Sequence, residues 1–566
     1  MKWTYKEKLP AGHELLEYGD LLAQILFNRS ITSSHEAEKY LHPSLNDIPD
    51  SGLLPNAKKV AKGILKAIKE HQKIYIYGDY DVDGISSTAI LFDFLYRELK
   101  ANVIPYIPNR FDEGYGLNKK AIQHIKSEGA TLIITVDCGI RDSELVNEFA
   151  DENLQFIITD HHEIPSEGIY FNNYVTVVHP GLANSKYPVK SICAANVVWK
   201  IVCELVKKSK IKFDPMHYID LVALATVCDV MPLIGENRAI VKYGLDALKI
   251  SPNRGLSEIL TRNYLDLKKL DAYHFGFVIG PRLNAAGRME DAITGLKLLT
   301  SRDNKVITVL AEKLESLNRE RQVLTIKYLE EAVLQAETQI KKGQVLIFVV
   351  GKKWSEGIIG LVAGKLNEKY NLPVIAVSDD SKQIKGSARS VKGFNITNAI
   401  SQYAEMLERY GGHSQAAGFT VKKGFLNKFK NSIQRYTKKE IDIKSMEKMI
   451  EIDNDINEED IDLSLAYRLF EFKPFGFGNP TPIFRLHNIK VSKIFRMGKE
   501  RQHIKMFGLT EKGKQIEAIA FNRPDYIDIM SETKQIDMVC TVDVNVWNGE
   551  ETLQFNIKDV KSSNEE

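Results

Sequence analysis

Lys73-Ile74-Tyr75-Ile76-Tyr77 reads as a buried strand and runs straight into Gly78-Asp79-Tyr80-Asp81-Val82-Asp83-Gly84. The arrangement returns three times. Thr131 to Val136 leads into Asp137-Cys138-Gly139, Phe156 to Thr159 into Asp160-His161-His162, and Leu221 to Cys228, also strand-like, into Asp229. Helix-like stretches lie between these runs at Asn56 to His71, Ser86 to Leu99 and Asn118 to Glu128. That alternation, over about 55–235, predicts a doubly wound α/β fold around a parallel sheet. Ligands of such sheets bind beyond the carboxyl ends of the strands, and the acids and histidines fall there.

Carboxylates and imidazoles with no thiolate framework suit a hard or borderline divalent cation such as Mg²⁺ or Mn²⁺. Each cluster alone has a plainer reading. Asp and Gly after a strand form turns, a His-His pair is commonly structural, and Asp229 could cap a helix or start a turn before Pro232. A turn needs no second and third carboxylate, and four element ends converging on acid and imidazole favour a metal site. Phosphoryl transfer by two ions places them about 3.5–4 Å apart, clamping the attacking and leaving oxygens. One carboxylate must bridge the ions, and the i, i+2 spacing of Asp81 and Asp83 can present two carboxylates to neighbouring ions. The chain reads as a metal-dependent hydrolase.

At 566 residues the chain exceeds one core, and about three or four domains are expected. Hydrophobic content of 44% and charged content of 27% are those of a soluble globular protein. No apolar run approaches the ~18–20 residues that span a bilayer, and Met1 to Lys6 leads into no signal-peptide core. Cys138, Cys193, Cys203, Cys228 and Cys540 form no CxxC pair, so a reducing cytoplasm is expected, with no membrane partner. A net charge of +2 leaves nucleic-acid binding to local basic patches.

Residues 1–50 form a helix-leaning lead-in, and helical segments dominate 236–340, with Val306 to Lys341 as one long helix or two broken ones. A second α/β unit over 341–440 carries Ser387-Ala388-Arg389-Ser390 and Gly411-Gly412-His413-Ser414. Glycines let backbone amides approach a phosphate and Arg offers a bidentate fork; a glycine turn with a surface arginine is the plainer alternative. From 450 to 566 short alternating strands suggest a small β-barrel or sandwich. There Val542, Val544 and Val546 face Leu553, Phe555 and Ile557 across an Asn548-Gly549 turn. Lys493, Arg496, Lys499, Arg501, Lys505 and Lys512 lie among Phe495 and Phe507. Basic residues can track phosphates while aromatics stack bases; a charged hairpin with core phenylalanines is the reading the aromatics favour.

At these residues the sequence resembles a known family. GDYDVDG, VDCG, TDHH and CDVMPL are similar to the four motifs of the DHH phosphoesterase superfamily. Within it, PNRFDEGYGL from Pro108, GPRLNAAGRM from Gly280 and WSEGIIG from Trp354 resemble the RecJ single-stranded-DNA-specific exonucleases. So do KGSARS from Lys385, GGHSQAAGF from Gly411 and KPFGFGNPTPIF from Lys473, in order and over essentially the whole chain. One stretch departs. Ser191-Ile192-Cys193-Ala194-Ala195-Asn196 stands where a glycine-richer segment is expected, which puts the local backbone approach in question.

The resemblance implies a DHH catalytic domain over 51–235, a helical connector over 236–340, a DHH-associated domain over 341–440 and an OB-fold β-barrel over 450–566. It implies two Mn²⁺ or Mg²⁺ ions, one held by Asp79 and Asp81, the other by Asp83, His161 and Asp229, with Asp137 bridging. Asp137, His161 and His162 would form the catalytic set, His162 at the scissile phosphate and Asp160 orienting the histidines. Arg110, Arg282, Ser387, Arg389 and His413 would bind the terminal 5′ phosphate, assisted by Asn284 and Arg288. The implied activity is 5′-to-3′ degradation of single-stranded DNA to mononucleotides, in repair and recombination. The implied partners are a single-strand-binding protein and a helicase, and the chain is expected to be a monomer. The alternatives are a DHH phosphoesterase for short oligonucleotides, cyclic dinucleotides or pyrophosphate, a metal-dead scaffold, and a strand-binding module. The 450–566 tail argues against a small substrate, and the filled ligand positions argue against a dead scaffold.

Overall fold

Five parallel strands form the framework of the first three motifs: β1 (Ile74–Gly78), β2 (Val103–Tyr106), β3 (Leu132–Val136), β4 (Gln155–Thr159) and β5 (Val175–Val178). They pair in the order β2-β1-β3-β4-β5. The chain direction across the sheet reverses between β1 and β3, and a crevice opens there at the carboxyl ends. Asp79 and Asp137 sit on the turns leaving those two strands. The computed structural model describes residues 1–563 apart from 115, 251, 381–382, 443–447 and 534. Tyr115 of the stretch from Pro108, and the last three residues of the expected C-terminal domain, lie outside the described residues.

β1 is followed at once by α1 (Val82–Asp93), which starts four positions before the expected Ser86. The Asp81 carboxylate caps it, accepting from the amides of Asp83 at 2.9 Å and Gly84 at 3.0 Å. Gly84 is needed for this tight entry, since a Cβ there would sit 2.5 Å from the Asp79 carbonyl. Two further helices complete the layer, α2 (Ala194–Ser209) and α3 (Ile219–Cys228). The expected strand at Leu221 to Cys228 is therefore a helix. Leu221 to Ala225 are all buried, and a short helix that is apolar all round shows the same unbroken run as a buried strand.

Helices α4 (Gly280–Met289) and α5 (Asn304–Lys341) follow, the latter one unbroken helix. A second sheet contains β6 (Ile347–Lys352), β7 (Val374–Asp379), β8 (Ile384–Arg389), β9 (Leu407–His413) and β10 (Ala416–Val421), in the order β9-β10-β8-β7-β6. Only β6 and β7 run parallel. Helix α6 (Glu356–Tyr370) packs Ile358, Ile359 and Val362 against Ile347 and Val349 of this sheet. All of these elements belong to one compact unit, Pro49–Met231 with Tyr243–Glu447.

The other unit joins Met1–Ile48 and Pro232–Lys242 to Lys448–Glu566. Its barrel strands are β11 (Phe484–Met497), β12 (His503–Leu509), β13 (Gln515–Ala520), β14 (Ile536–Trp547) and β15 (Glu550–Ser562). They run β11-β12-β13-β15-β14, and β14 pairs back onto β11 to close the barrel. Asn548 (φ 51°) and Gly549 (φ 85°) make the two-residue turn between β14 and β15 with the left-handed pair a tight hairpin requires. The N-terminal segment shares the barrel's core: Leu15, Leu22, Ile25 and Leu26 pack in one cluster with Leu465, Phe472, Phe484 and Met538. Lys2–Tyr5 adds a parallel strand to Met449–Ile452, and buried Arg238 donates to the carbonyls of Tyr40 (2.7 Å), Phe472 (2.9 Å) and Glu471 (3.2 Å). Residues 1–48 thus form no separate lead-in.

Candidate metal centre and anion site

Three groups of ligand atoms crowd the crevice between β1 and β3. One atom each from Asp79, Asp81 and Asp137 lies within 4.8 Å of the others, and the same holds for Asp83, His161 and Asp229 and for Asp137, His161 and His162. Asp137 therefore stands between two clusters. It does so in a left-handed backbone conformation, φ 65°, which non-glycine residues adopt at a cost of about 1 kcal/mol or more, mostly where function fixes them. Val230, directly after Asp229, is left-handed as well, φ 56°. For a β-branched residue that is a true outlier.

Asp83 is held from outside its own helix. The first amides of α2 donate to it, Ala194 to Oδ2 at 2.7 Å and Ala195 to Oδ1 at 2.8 Å. The stretch from Ser191 to Asn196 thus does its work with backbone, for which glycine is not needed, and it leaves no side-chain signature to read in a sequence. The same stretch fixes His161, whose ring bonds to the Ile192 backbone and leaves Nε2 free of hydrogen bonds. That nitrogen lies 3.3 Å from Asp137 Oδ1 and 3.4 Å from Asp229 Oδ2.

Asp160 holds the histidines. Its Oδ1 accepts from the His161 amide (2.7 Å), the His162 amide (3.1 Å) and His162 Nδ1 (2.8 Å), while its Oδ2 accepts from the Ile140 amide at 3.0 Å. Burial opposes ionisation of Asp160, but the bond and charge of His162 keep its carboxyl below the usual range. Burial likewise works against a charged His162, and Asp160 overrides it, raising that imidazole to about 9. His179 Nε2 lies 2.8 Å from the His162 carbonyl and braces the turn.

The other acids are forced the opposite way. Burial, then the charge of Asp81, pushes Asp79 well up and Asp83 to about 7. Burial, then Asp83, Asp81 and Asp79, pushes Asp137 well up, and burial with Asp83 takes Asp229 to about 9. Burial, then His162, takes His161 down to about 3. Asp79 Oδ1, Asp137 Oδ1, His161 Nε2 and Asp229 Oδ2 are all buried with no hydrogen-bond partner. Buried polar atoms of folded proteins are otherwise nearly always paired. Four oxygen and nitrogen atoms left over together, among mutually repelling carboxylates, fit hard or borderline divalent cations.

Beside this negative centre lies a positive one. Arg110 stacks 4.5 Å over the ring of Tyr80, between Asp79 and Asp81 in sequence. Burial, then the charges of Arg110, Arg321 and Arg389, takes Arg288 down to about 10. Arg288 Nη1 donates to the Gly357 carbonyl at 3.2 Å, and Arg389 Nη1 to the Ala388 carbonyl at 2.8 Å and Ser387 Oγ at 3.4 Å. Arg321 Nη2 donates to Asn318 Oδ1 at 2.9 Å, and its Nε is buried without a partner. Among the described residues, none of these four arginines makes a salt bridge. Clustered guanidiniums with no salt-bridge partner are the groups an anion site requires.

The expected phosphate ligands divide. Arg110, Arg288, Ser387 and Arg389 meet in this cluster; His413 ends β9 near enough to Arg389 that, after burial, this charge lowers its imidazole pKa. Asn284 lies half-buried on α4. Arg282 is spent elsewhere. Its Nε donates to Glu315 Oε2 at 2.6 Å, Nη1 to the Val278 carbonyl at 2.7 Å and Nη2 to Asn263 Oδ1. Arg321 takes part instead, and in the sequence it is one charge among many on the polar face of α5. Gly412 is required by packing: a Cβ there would lie 2.3 Å from the Ala416 carbonyl of the adjacent strand.

On the barrel, Phe495 is 50% exposed, against its expected place in the core, with Phe507 edge-on at 6.1 Å. Lys493, Arg496, Lys499 and Arg501 are exposed. Lys505 pairs with Glu517 at 2.8 Å and Lys512 with Glu459, so those two charges are partly committed.

Family models match in three places: the DHH family N-terminal domain over 73–226, the DHHA1 domain over 342–439 and the RecJ OB domain over 452–559. The single-stranded-DNA-specific exonuclease RecJ of Bacillus subtilis is 32% identical over 569 residues, covering 100% of this chain and 71% of that protein. The chain belongs to the RecJ family. RecJ of Thermus thermophilus, solved in complex with Mn²⁺, superposes with a TM-score of 0.84 at 26% identity, over 99% of this chain and 79% of that one. A second structure, an exonuclease RecJ bound to manganese, has a TM-score of 0.61 at 31% identity, over 70% of this chain and 96% of that one. The parallel DHH sheet, the DHHA1 domain and the OB barrel of this chain are those of the RecJ fold.

Proposed function

We propose that the chain is a 5′-to-3′ exonuclease that degrades single-stranded DNA to mononucleotides, working in the cytoplasm in repair and recombination. What supports this reading most is the meeting of four unpartnered ligand atoms with four guanidiniums that lack carboxylate partners. A phosphodiester needs both: cations at the reacting oxygens and a cradle for the flanking charge. Asp79, Asp81 and Asp137 would hold one Mn²⁺ or Mg²⁺ and Asp83, His161 and Asp229 the other, with Asp137 shared. Such ions lower the pKa of water and neutralise charge on the phosphate oxygens.

The chain's own residues supply the rest. The α2 amides and Asp160 fix Asp83 and the histidines before substrate arrives, with Asp160 bonded to His162 Nδ1, and His162 would stand at the scissile phosphate. Arg110, Arg288, Arg321 and Arg389, with Ser387, take the terminal phosphate. The closed barrel gives a longer strand a second foothold, which a dinucleotide does not need. No described helix is long and apolar enough to cross a membrane. A single-strand-binding protein and a helicase are its proposed partners, and it acts as a monomer.

The test is Mn²⁺-dependent cleavage of a strand of about 40 nucleotides, labelled at either end, beside its duplex and a dinucleotide. Release of the 5′ label as a mononucleotide with the duplex spared is expected. Activity confined to the dinucleotide would refute it.

A further inference from the structure

A cavity of about 440 Å³ opens beside the arginine cluster, lined in part by Phe111, Lys353, Ser355, Glu356, Gln383 and Lys385. It meets the cluster at two points. Phe111 directly follows Arg110, and Glu356 directly precedes Gly357, whose carbonyl accepts from Arg288. Its size is that of a small-molecule site, about 300–1,000 Å³.

The walls are chemically distinct. Phe111 offers a flat apolar face on a loop fixed in advance: its amide donates to Asn109 Oδ1 at 2.9 Å, and the Asn109 amide to Glu113 Oε2 at 2.7 Å. Other walls carry the Ser355 hydroxyl, the Gln383 side-chain amide and the Glu356–Lys385 ion pair, donors and acceptors together. Lys353 has a left-handed backbone, φ 57°, held by its amide on the Asp379 carbonyl at 3.0 Å.

A planar face, a mixed polar rim and an adjoining guanidinium cluster match a nucleotide, its base in the cavity and its phosphate among the arginines. We propose that this cavity receives the base of the nucleotide at the attacked end of the strand. Groups that both donate and accept, with one stacking face, accommodate any base, as an enzyme that removes every nucleotide in turn requires. The inference rests on the single-strand exonuclease reading.

The experiment uses the full chain and two strands of about 20 nucleotides that differ only in a normal or an abasic 5′-terminal nucleotide. Anisotropy in chelator measures binding; initial rates in Mn²⁺ measure cleavage. The abasic strand should bind and react about tenfold less well, in line with the loss of one base stack. Phe111→Ala, with its melting temperature confirming a folded chain, should bring both ratios near unity. If Phe111→Ala does not fold, Gln383→Ala, on the exposed wall, should narrow the ratios instead. Equal treatment of the two strands by the wild type, or full discrimination by folded Phe111→Ala, would overturn the proposal. Base-dependent binding with no cleavage of any strand would sink the exonuclease reading and leave the cavity's role standing.

Discussion

Asp229→Asn is expected to make the metal-free protein more stable at alkaline pH while removing much of its response to Mn²⁺. Burial and Asp83 raise the Asp229 carboxyl from the usual 3.8 to about 9. A folded-state pKa above the unfolded one gives stability that is complete below about 3.8 and lost as pH climbs through about 9. Between about pH 6 and about pH 8.5 the folded chain keeps a proton that the unfolded chain has released, which amounts to ~3 kcal/mol in all. Asparagine has no such proton. His162 titrates in both proteins, and Asp83, raised to about 7 by burial and then by Asp81, titrates in the same direction as Asp229. Melting followed by circular dichroism in chelator should therefore show the wild type falling further than the variant across this range, by on the order of 5 °C. Saturating Mn²⁺ should restore the wild type most at the alkaline end and the variant far less. Parallel curves of melting temperature against pH for the two proteins would refute the account of Asp229 as a buried, mutually repelled ligand.

Ala194→Pro removes one amide from Asp83 at a first-turn position that tolerates proline, after Cys193 in an extended conformation (ψ 164°). Titration should show Mn²⁺ affinity about tenfold lower, as for loss of a bond to a charged group, with melting in chelator little changed. Arg321→Ala should weaken single-strand binding in chelator and flatten its dependence on log salt by about one contact; an unchanged slope would place Arg321 outside the anion site. Phe495→Ala should weaken binding of a long strand about tenfold by anisotropy and leave dinucleotide hydrolysis alone.

Much of the catalytic half was legible because its strands are buried on both faces and read as unbroken apolar runs. The acids that follow β1 and β3 could be placed at the sheet's carboxyl edge from order alone. The run before Asp229 defeated the same logic, because a fully buried helix has no polar face to reveal its period. Arg282 misled since nothing in GPRLNAAGRM announces that Glu315, 33 positions away, would claim it. Arg321 and the α2 amides were missed for complementary reasons: one is a charge among charges, the others are backbone. The Asn548-Gly549 hairpin was the most readable piece of the tail, because left-handed pairs have so few possible occupants. Phe495 was not readable, since an aromatic on a strand gives no sign of which face looks outward.

The joining of Leu15, Leu22 and Leu26 to a barrel built from residues beyond Lys448 sets a schedule for the chain's birth. Once made, this segment finds its partner only after about 400 further residues, roughly 20–80 s at ordinary synthesis rates. For that interval its apolar side chains must wait uncovered or in the care of a chaperone, while the DHH sheet, whose strands are close in sequence, can already form. A shortened chain lacking the barrel would carry that exposed surface permanently, and its insolubility would say nothing about how DNA is bound.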